Sequence, residues 1–84
     1  MYVGAIPRIA DPEKFFAVAQ EVLAGLPEGV TINQILPSTD GTSCVCLWTS
    51  PSVQVVRKIV DGASEGLAVN EFFEISADQA VGLK

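Results

Sequence analysis

The chain has no histidine, and only 18% of its 84 residues are charged. Histidine is the commonest general base and activates catalytic serine and cysteine, so no Ser-His or Cys-His pair can form and a hydrolase is not expected. Basic residues are also few: five Lys and Arg stand against ten Asp and Glu, for a net charge of −5. We therefore expect no binding to nucleic acid and no attachment to a membrane surface.

Long hydrophobic runs are missing as well. No stretch approaches the ~18 consecutive apolar residues of a transmembrane helix. The N-terminal residues MYVGAIPRIADPEK lack the positive-then-apolar order of a signal peptide. We therefore expect a cytoplasmic protein with reduced thiols.

Apolar residues, in contrast, are abundant for so short a chain. They make up 49% of the sequence, and the mean hydropathy is +0.39. The length predicts one domain, residues 1–84, and a domain of this size buries little surface when it folds alone. Apolar surface in excess of the core usually ends in a protein interface, so a partner subunit is expected.

The hydrophobic pattern alternates between strand and helix. The first helix begins at Asp11 and Pro12, a cap followed by proline, and the second at the similar pair Ser50 and Pro51. Their apolar residues recur at helical spacing until the glycines near 25 and 62–66. Strands are predicted at 2–6 (stopped by Pro7), 30–36, 42–49 and 69–75, and a short helix at 78–81 in the tail of residues 76–84.

The order βαββαβ predicts an α+β, ferredoxin-like sandwich, in which two helices cover one face of a four-stranded antiparallel sheet. In the third strand, Cys44, Cys46 and Trp48 share one face and Val45 and Leu47 share the other, so both faces are apolar. A face without helices should be polar if it met water. We therefore expect a homodimer through the open sheet face.

The two cysteines are interpreted mainly as core or interface residues. Side chains two apart on a strand are too far separated for a disulfide, which leaves a Cys cluster between subunits or a reactive thiol as alternatives. The carboxylates have no spacing of a known metal loop, so we expect no metal site and no cofactor.

Four polar or aromatic residues are candidates for binding a small molecule between sheet and helices. Arg8 stands alone after the first strand, where it could hold a carboxylate or phosphate or remain a solvated loop residue. Asn33 and Asn70 interrupt apolar strands, where they could line a cavity or simply prevent strand mispairing. Trp48 is the aromatic candidate.

The sequence resembles a group of small bacterial ferredoxin-like proteins of unknown function, allied to the dimeric α+β barrel superfamily. The resemblance covers roughly residues 5–83 and implies a homodimer of the dimeric α+β barrel type. Members often carry a histidine just before the Asp-Pro helix start, where this chain has Pro7 and Arg8. The resemblance to this group is carried by the stretches DPEKFF (11–16), LP and G (26, 27 and 29), DG (40–41), CLW (46–48), SV (52–53), VR (56–57) and NEFFEI (70–75).

Three functions remain open at this point. The first is a small homodimeric module that binds a small apolar ligand between sheet and helices. The second is a cofactor-independent monooxygenase or isomerase, as among superfamily relatives, with a cavity of at least a few hundred Å³ contacted by Trp48, Asn33, Arg8 and Asn70. The third is a transition-metal-binding protein that uses Cys44 and Cys46 across subunits.

Overall fold

The computed structural model describes residues 1–83, which form four strands and two helices in the order βαββαβ. The strands make one antiparallel sheet in the order β2-β3-β1-β4. The predicted ferredoxin-like α+β fold is confirmed. The elements are β1 (Tyr2–Ile9), α1 (Pro12–Ala24), β2 (Thr31–Pro37), β3 (Cys44–Thr49), α2 (Val53–Ser64) and β4 (Ala68–Ile75).

Helix α1 begins where the sequence predicts. Asp11 caps its N-terminus, because the carboxylate accepts a hydrogen bond from the Lys14 N–H at 3.2 Å, and Pro12 follows in the first turn. One turn later Phe15 is buried, and its ring meets Phe16 edge to face with the centroids 5.2 Å apart. The helix is thus anchored to the sheet near its N-terminus.

The cap of helix α2 lies two residues later than predicted, so the prediction of Ser50 as the cap is wrong. The cap is Ser52, whose hydroxyl accepts from the Val55 N–H at 3.2 Å. Ser50 is paired with Met1 instead: its N–H donates to the Met1 carbonyl at 3.0 Å, and its own carbonyl, which a cap residue offers to the first turn of the helix, accepts from the Met1 amino group at 2.9 Å. This pairing carries the extended backbone past the end of β3, so Pro51 lies before the helix.

Strand β1 does not stop at Pro7 as predicted but continues to Ile9. Proline has no N–H and is tolerated in a sheet only where no ladder bond is needed. The pairing between β1 and β3 ends at Ala5, and the two segments pair again at a single bridge between Arg8 and Ser43. Pro7 occupies this gap, while the ladder between β1 and β4 runs unbroken on the other side.

The core lies between the helices and one face of the sheet. The predicted grouping of Cys44, Cys46 and Trp48 on one face is confirmed, and all three are buried beneath the helices. Neighbouring strands contribute to the same layer in register, since Trp48 lies opposite Val3 and Cys46 opposite Ala5. The buried hydrophobic core consists of Val3, Ala5, Ile9, Phe15, Val30, Cys44, Cys46, Trp48 and Val56.

The other sheet face carries no helix. Phe72 and Phe73 divide between the two faces: Phe72 packs on the core side, under Arg57 of α2, whose guanidinium lies 5.3 Å from its ring centre. Phe73 lies on the open face, where its ring covers Gly4 on the neighbouring strand. A Cβ at Gly4 would come within 2.6 Å of that ring.

The tail after β4 forms a turn and no helix over its described residues. The Ala80 N–H donates to the Ser76 carbonyl at 3.0 Å, which closes a single turn and ends there, so the helix predicted at 78–81 is absent. Lys84, the last residue of the predicted domain, lies outside the described residues. Neither α1 nor α2 combines the length and apolarity that crossing a membrane requires.

Candidate functional site

A cavity of about 60 Å³ lies between α1, α2 and the core face of the sheet. No charged residue lines it, and the hydroxyl of Ser64 is the one side-chain oxygen in its wall. A volume of this size exceeds the share of about 30 Å³ that one water has in the liquid. The wall includes Phe15 and Phe16 from α1, Val60 from α2, Ile32 and Ile35 from β2, and Trp48 from β3.

Trp48, which contributes to this wall, carries a buried polar atom without a hydrogen-bond partner. It is only 3% exposed, and its indole Nε1–H has no acceptor among the described residues. An indole N–H can only donate, and a buried donor left without an acceptor costs roughly 1–3 kcal/mol of stability. Native cores rarely leave such a group unpaired, so this one requires an explanation.

Ser64 offers no free polar group to the cavity. Its hydroxyl donates to the Val60 carbonyl at 2.6 Å and accepts from the Asn70 side-chain amide at 2.9 Å. Both roles of the hydroxyl are therefore filled within the protein. Trp48 is left as the lining residue with an unused hydrogen-bonding group.

Asn70 lies on the core side of β4 and ties that strand to α2. Its Nδ2 group donates to Asp61 Oδ1 at 2.8 Å and to Ser64 Oγ at 2.9 Å, while its Oδ1 is buried with no donor among the described residues. The amide orientation follows from Asp61, because a carboxylate can only accept. Asn70 does not line the cavity, although its partner Ser64 does.

The unpaired atoms of Trp48 and Asn70 belong to residues on different strands of the core face. Trp48 lies opposite Val3 on β1, and Asn70 lies opposite Pro7, four residues further along the same strand. Four residues of a strand span about 13 Å. The two residues are therefore separated along the core face, although Pro7, which lies opposite Asn70, lines the cavity together with Trp48.

Arg8 and Asn33, the other two predicted site residues, lie away from the cavity. Arg8 is exposed on the open sheet face beside Val69. Asn33 sits at a register irregularity in β2, where its amide donates to Thr49 Oγ1 at 2.8 Å and accepts from Thr31 Oγ1 at 3.1 Å. The structure therefore does not bring the four residues together, and of them Trp48 alone lines the cavity.

The cavity is also smaller than the few hundred Å³ that the enzyme hypothesis requires. Its wall presents no acid, no base and no charged group that could stabilise developing charge. This geometry suits the retention of a small apolar molecule better than its chemical conversion.

The two cysteines lie side by side in the core. Their sulfur atoms are 3.5 Å apart and both thiols are free. Burial, reinforced by the neighbouring Cys44, raises the pKa of the Cys46 thiol to about 12, so Cys46 is not a thiolate nucleophile near neutral pH. Both side chains point toward the helices, so a copy docked on the open face would not reach them. Within residues 1–83, no three His, Cys, Asp or Glu side chains form a group that could hold a metal ion.

Sequence reasoning found Trp48 but missed most of the cavity wall. Residues such as Phe16, Val22 and Val60 have the same helical spacing whether they fill a core or border a void. Only the separation of the two helices above the sheet distinguishes these cases, and no local pattern encodes that distance.

No protein-family model matches the chain, and no curated protein sequence is significantly similar to it.

Proposed function

We propose that this protein is a small homodimeric module that retains a small apolar ligand in the cavity between α1, α2 and the sheet. The observation that carries the proposal is the cavity itself, which is walled by apolar side chains around one buried tryptophan. Ligand pockets are typically apolar, with few polar groups to fix orientation. A cavity in a well-packed core costs stability, and a ligand that fills it recovers those contacts.

Binding of xenon tests the cavity without any assumption about the natural ligand. Apolar cavities in protein interiors take up xenon. Ala19 of α1 lines the cavity, so Ala19→Leu should fill part of it and reduce xenon binding at least several-fold. Binding is measured from ¹²⁹Xe NMR shifts and from shifts of the Ile32 and Ile35 methyl groups.

Ala17→Leu is the matched control, because Ala17 lies on the same helix but is exposed and outside the cavity. This variant should bind xenon like the wild type. Equal binding by wild type and Ala19→Leu, or no binding by either, would refute the cavity as a ligand site.

The proposed homodimer rests on the open sheet face. Its strands present exposed apolar side chains, among them Val45 (52% exposed) and Val69 (76% exposed). The chain exposes 5433 Å² in total, against about 4,800 Å² expected for a folded monomer of this mass. The chain thus exposes about 600 Å² more than an average monomer of its mass, which favours burial of part of its surface in an interface.

Charge favours a second copy of the same chain as the occupant of this face. The chain has a net charge of −5, so two copies repel each other across most of their surface. On the open face the strand residues carry one charge of each sign, Arg8 and Glu71. A two-fold axis could set Arg8 of one subunit against Glu71 of the other, since an isologous interface exchanges such contacts.

Two sheets packed face to face would give the dimeric α+β barrel arrangement that the resemblance implies. Two buried free thiols also fit a reducing compartment such as the cytoplasm. Sedimentation velocity at micromolar concentration tests the dimer, for which we expect twice the chain mass. A monomer under these conditions would refute it.

A further inference from the structure

We propose that the ligand of this cavity is a nonpolar molecule of about three heavy atoms that carries no hydrogen-bonding group, such as a three-carbon hydrocarbon. The inference rests on the proposed function and adds the polarity and the size of the ligand. It starts from two observations, namely the kind of atoms that the wall presents and the volume that it encloses.

The polar side chains of the wall offer no hydrogen bond to a ligand. The Nε1 atom of Trp48 has no surface open to the cavity, so the indole contributes only carbon atoms to the wall. The Ser64 hydroxyl already donates and accepts within the protein. No charged residue lines the cavity, so an ionic ligand would have no counter-ion. A polar or charged atom on the ligand would therefore lose its water without gaining a partner.

Water is a poor occupant of the cavity for the same reason. A buried water typically makes about three hydrogen bonds, and cavities without polar partners stay dry. No described residue turns a free donor or acceptor into this one. A nonpolar ligand therefore displaces no bound water, and it gains dispersion contacts with side chains such as Phe15, Ile32 and Val60.

The volume of the cavity limits the size of the ligand. An engineered apolar cavity of ~150 Å³ holds benzene, which has six heavy atoms. The cavity between α1, α2 and the sheet encloses about 60 Å³, or two-fifths of that volume. It therefore has room for roughly three heavy atoms. A three-carbon hydrocarbon fits this space, whereas a six-membered ring does not.

Two gases of the same shape test the polarity of the ligand. Propane and dimethyl ether differ in one group, because the ether has an oxygen acceptor where propane has its central CH₂. Methyl shifts of Ile32, Ile35 and Val60 report entry into the cavity. The chain has one tryptophan, so the single indole peak of a ¹H–¹⁵N spectrum reports Trp48 without mutagenesis.

Propane should bind at least 10-fold more tightly than dimethyl ether, because the ether oxygen finds no donor in the wall. The ether should not move the indole proton downfield. Ala19→Leu should reduce propane binding at least several-fold, and Ala17→Leu should leave it unchanged, which assigns the methyl shifts to the cavity. Benzene tests the size limit and should shift none of the cavity methyl groups of the wild type.

The failures of the two proposals are distinguishable. An affinity difference of less than 10-fold between propane and dimethyl ether, or a downfield indole shift with the ether, would overturn the nonpolar class. Binding of benzene at the cavity methyl groups would overturn the size limit. In each of these cases the cavity remains a ligand site. Methyl resonances that neither xenon nor propane shifts would refute the proposed function, and with it the ligand class assigned here.

Discussion

Asn70 shows how a single side chain can hold two elements together. Its Nδ2 group donates to both Asp61 and Ser64, and so connects β4 to the last turn of α2. The remaining oxygen is buried without a donor among the described residues, which is the disadvantage of this arrangement. The two donated hydrogen bonds outweigh it only while position 70 carries an amide.

Asn70→Asp should therefore destabilise the fold by roughly 2 kcal/mol at pH 7, measured by urea unfolding. The variant loses both donated hydrogen bonds and places a carboxylate against Asp61. Because protonation restores a donor, the deficit should shrink as the pH falls toward 4. Asp61→Asn is the control, since it removes the repulsion and should recover part of the loss in the double variant. An Asn70→Asp protein as stable as the wild type at pH 7 would refute the role assigned to this contact.

Asp40 organises the turn between β2 and β3 through hydrogen bonds to one carboxylate oxygen. Its Oδ1 atom accepts hydrogen bonds from Thr42 Oγ1 at 2.7 Å, from the Thr42 N–H at 3.0 Å and from Ser38 Oγ at 2.9 Å. These bonds, those from Thr42 first, lower the pKa of Asp40 from 3.8 to about 2. The folded chain therefore favours the carboxylate form.

The sign of the pH dependence follows from that lowered pKa. Stability from Asp40 should be present in full above about pH 4 and should be lost as the pH falls toward 2. Asp40→Ala should be less stable than the wild type at pH 7, and the difference should narrow between pH 4 and 2 in thermal unfolding. Asp78→Ala, in the exposed tail, is the control and should show no such difference. A constant gap between wild type and Asp40→Ala across this range would contradict the assignment.

Gly41 joins the same turn to the start of α1. Its φ is +76°, and a Cβ there would lie 3.1 Å from Cβ of Pro12. Gly29 has a similar φ of +85° but open space around it, so Gly29→Ala isolates the backbone cost, about 1 kcal/mol. Gly41→Ala should cost roughly 1 kcal/mol more in urea unfolding, because the proline ring cannot move aside easily. An equal loss of unfolding free energy in the two variants would mean that a Cβ at position 41 does not clash with Pro12.

The order of the elements could be predicted from the sequence because periodicity and capping are local. Asp11 and Pro12 mark the start of α1 through contacts within one turn. The errors arose where distant residues decide. Ser50 is paired with Met1, which is 49 residues away in the sequence. Strand β1 continues past Pro7 because the pairing between β1 and β3 is interrupted there. Neither partner is visible in a local window of sequence.

At the scale of the whole molecule, the fold is a slab of 35 × 27 × 18 Å with helices on one side. The apolar pattern of both sheet faces was readable from the sequence, since alternation along β3 assigns each residue to a face. The cavity was not, because it depends on how far apart α1 and α2 lie above the sheet. Trp48 could be placed in the core by pattern, but its unpaired N–H appears only when every neighbour is in position.

A charge introduced on the open face tests the proposed dimer. Val45→Glu should raise the dimer dissociation constant at least 10-fold, because a buried unpaired carboxylate is costly, and it should leave the monomer folded since Val45 is half exposed. Val81→Glu makes the same change at a residue that is 99% exposed in the tail and should not alter assembly. Sedimentation velocity separates the two, and an intact Val45→Glu dimer would exclude this face as the interface.

The contact between Gly4 and Phe73 couples the evolution of two positions that are far apart in the sequence. The ring lies where any side chain at position 4 would have to stand, so the two residues share one volume. Among chains with this fold, we expect the pair to covary: an alanine or valine at position 4 should accompany a smaller residue at position 73. Selection at either site therefore acts on the combined size of both.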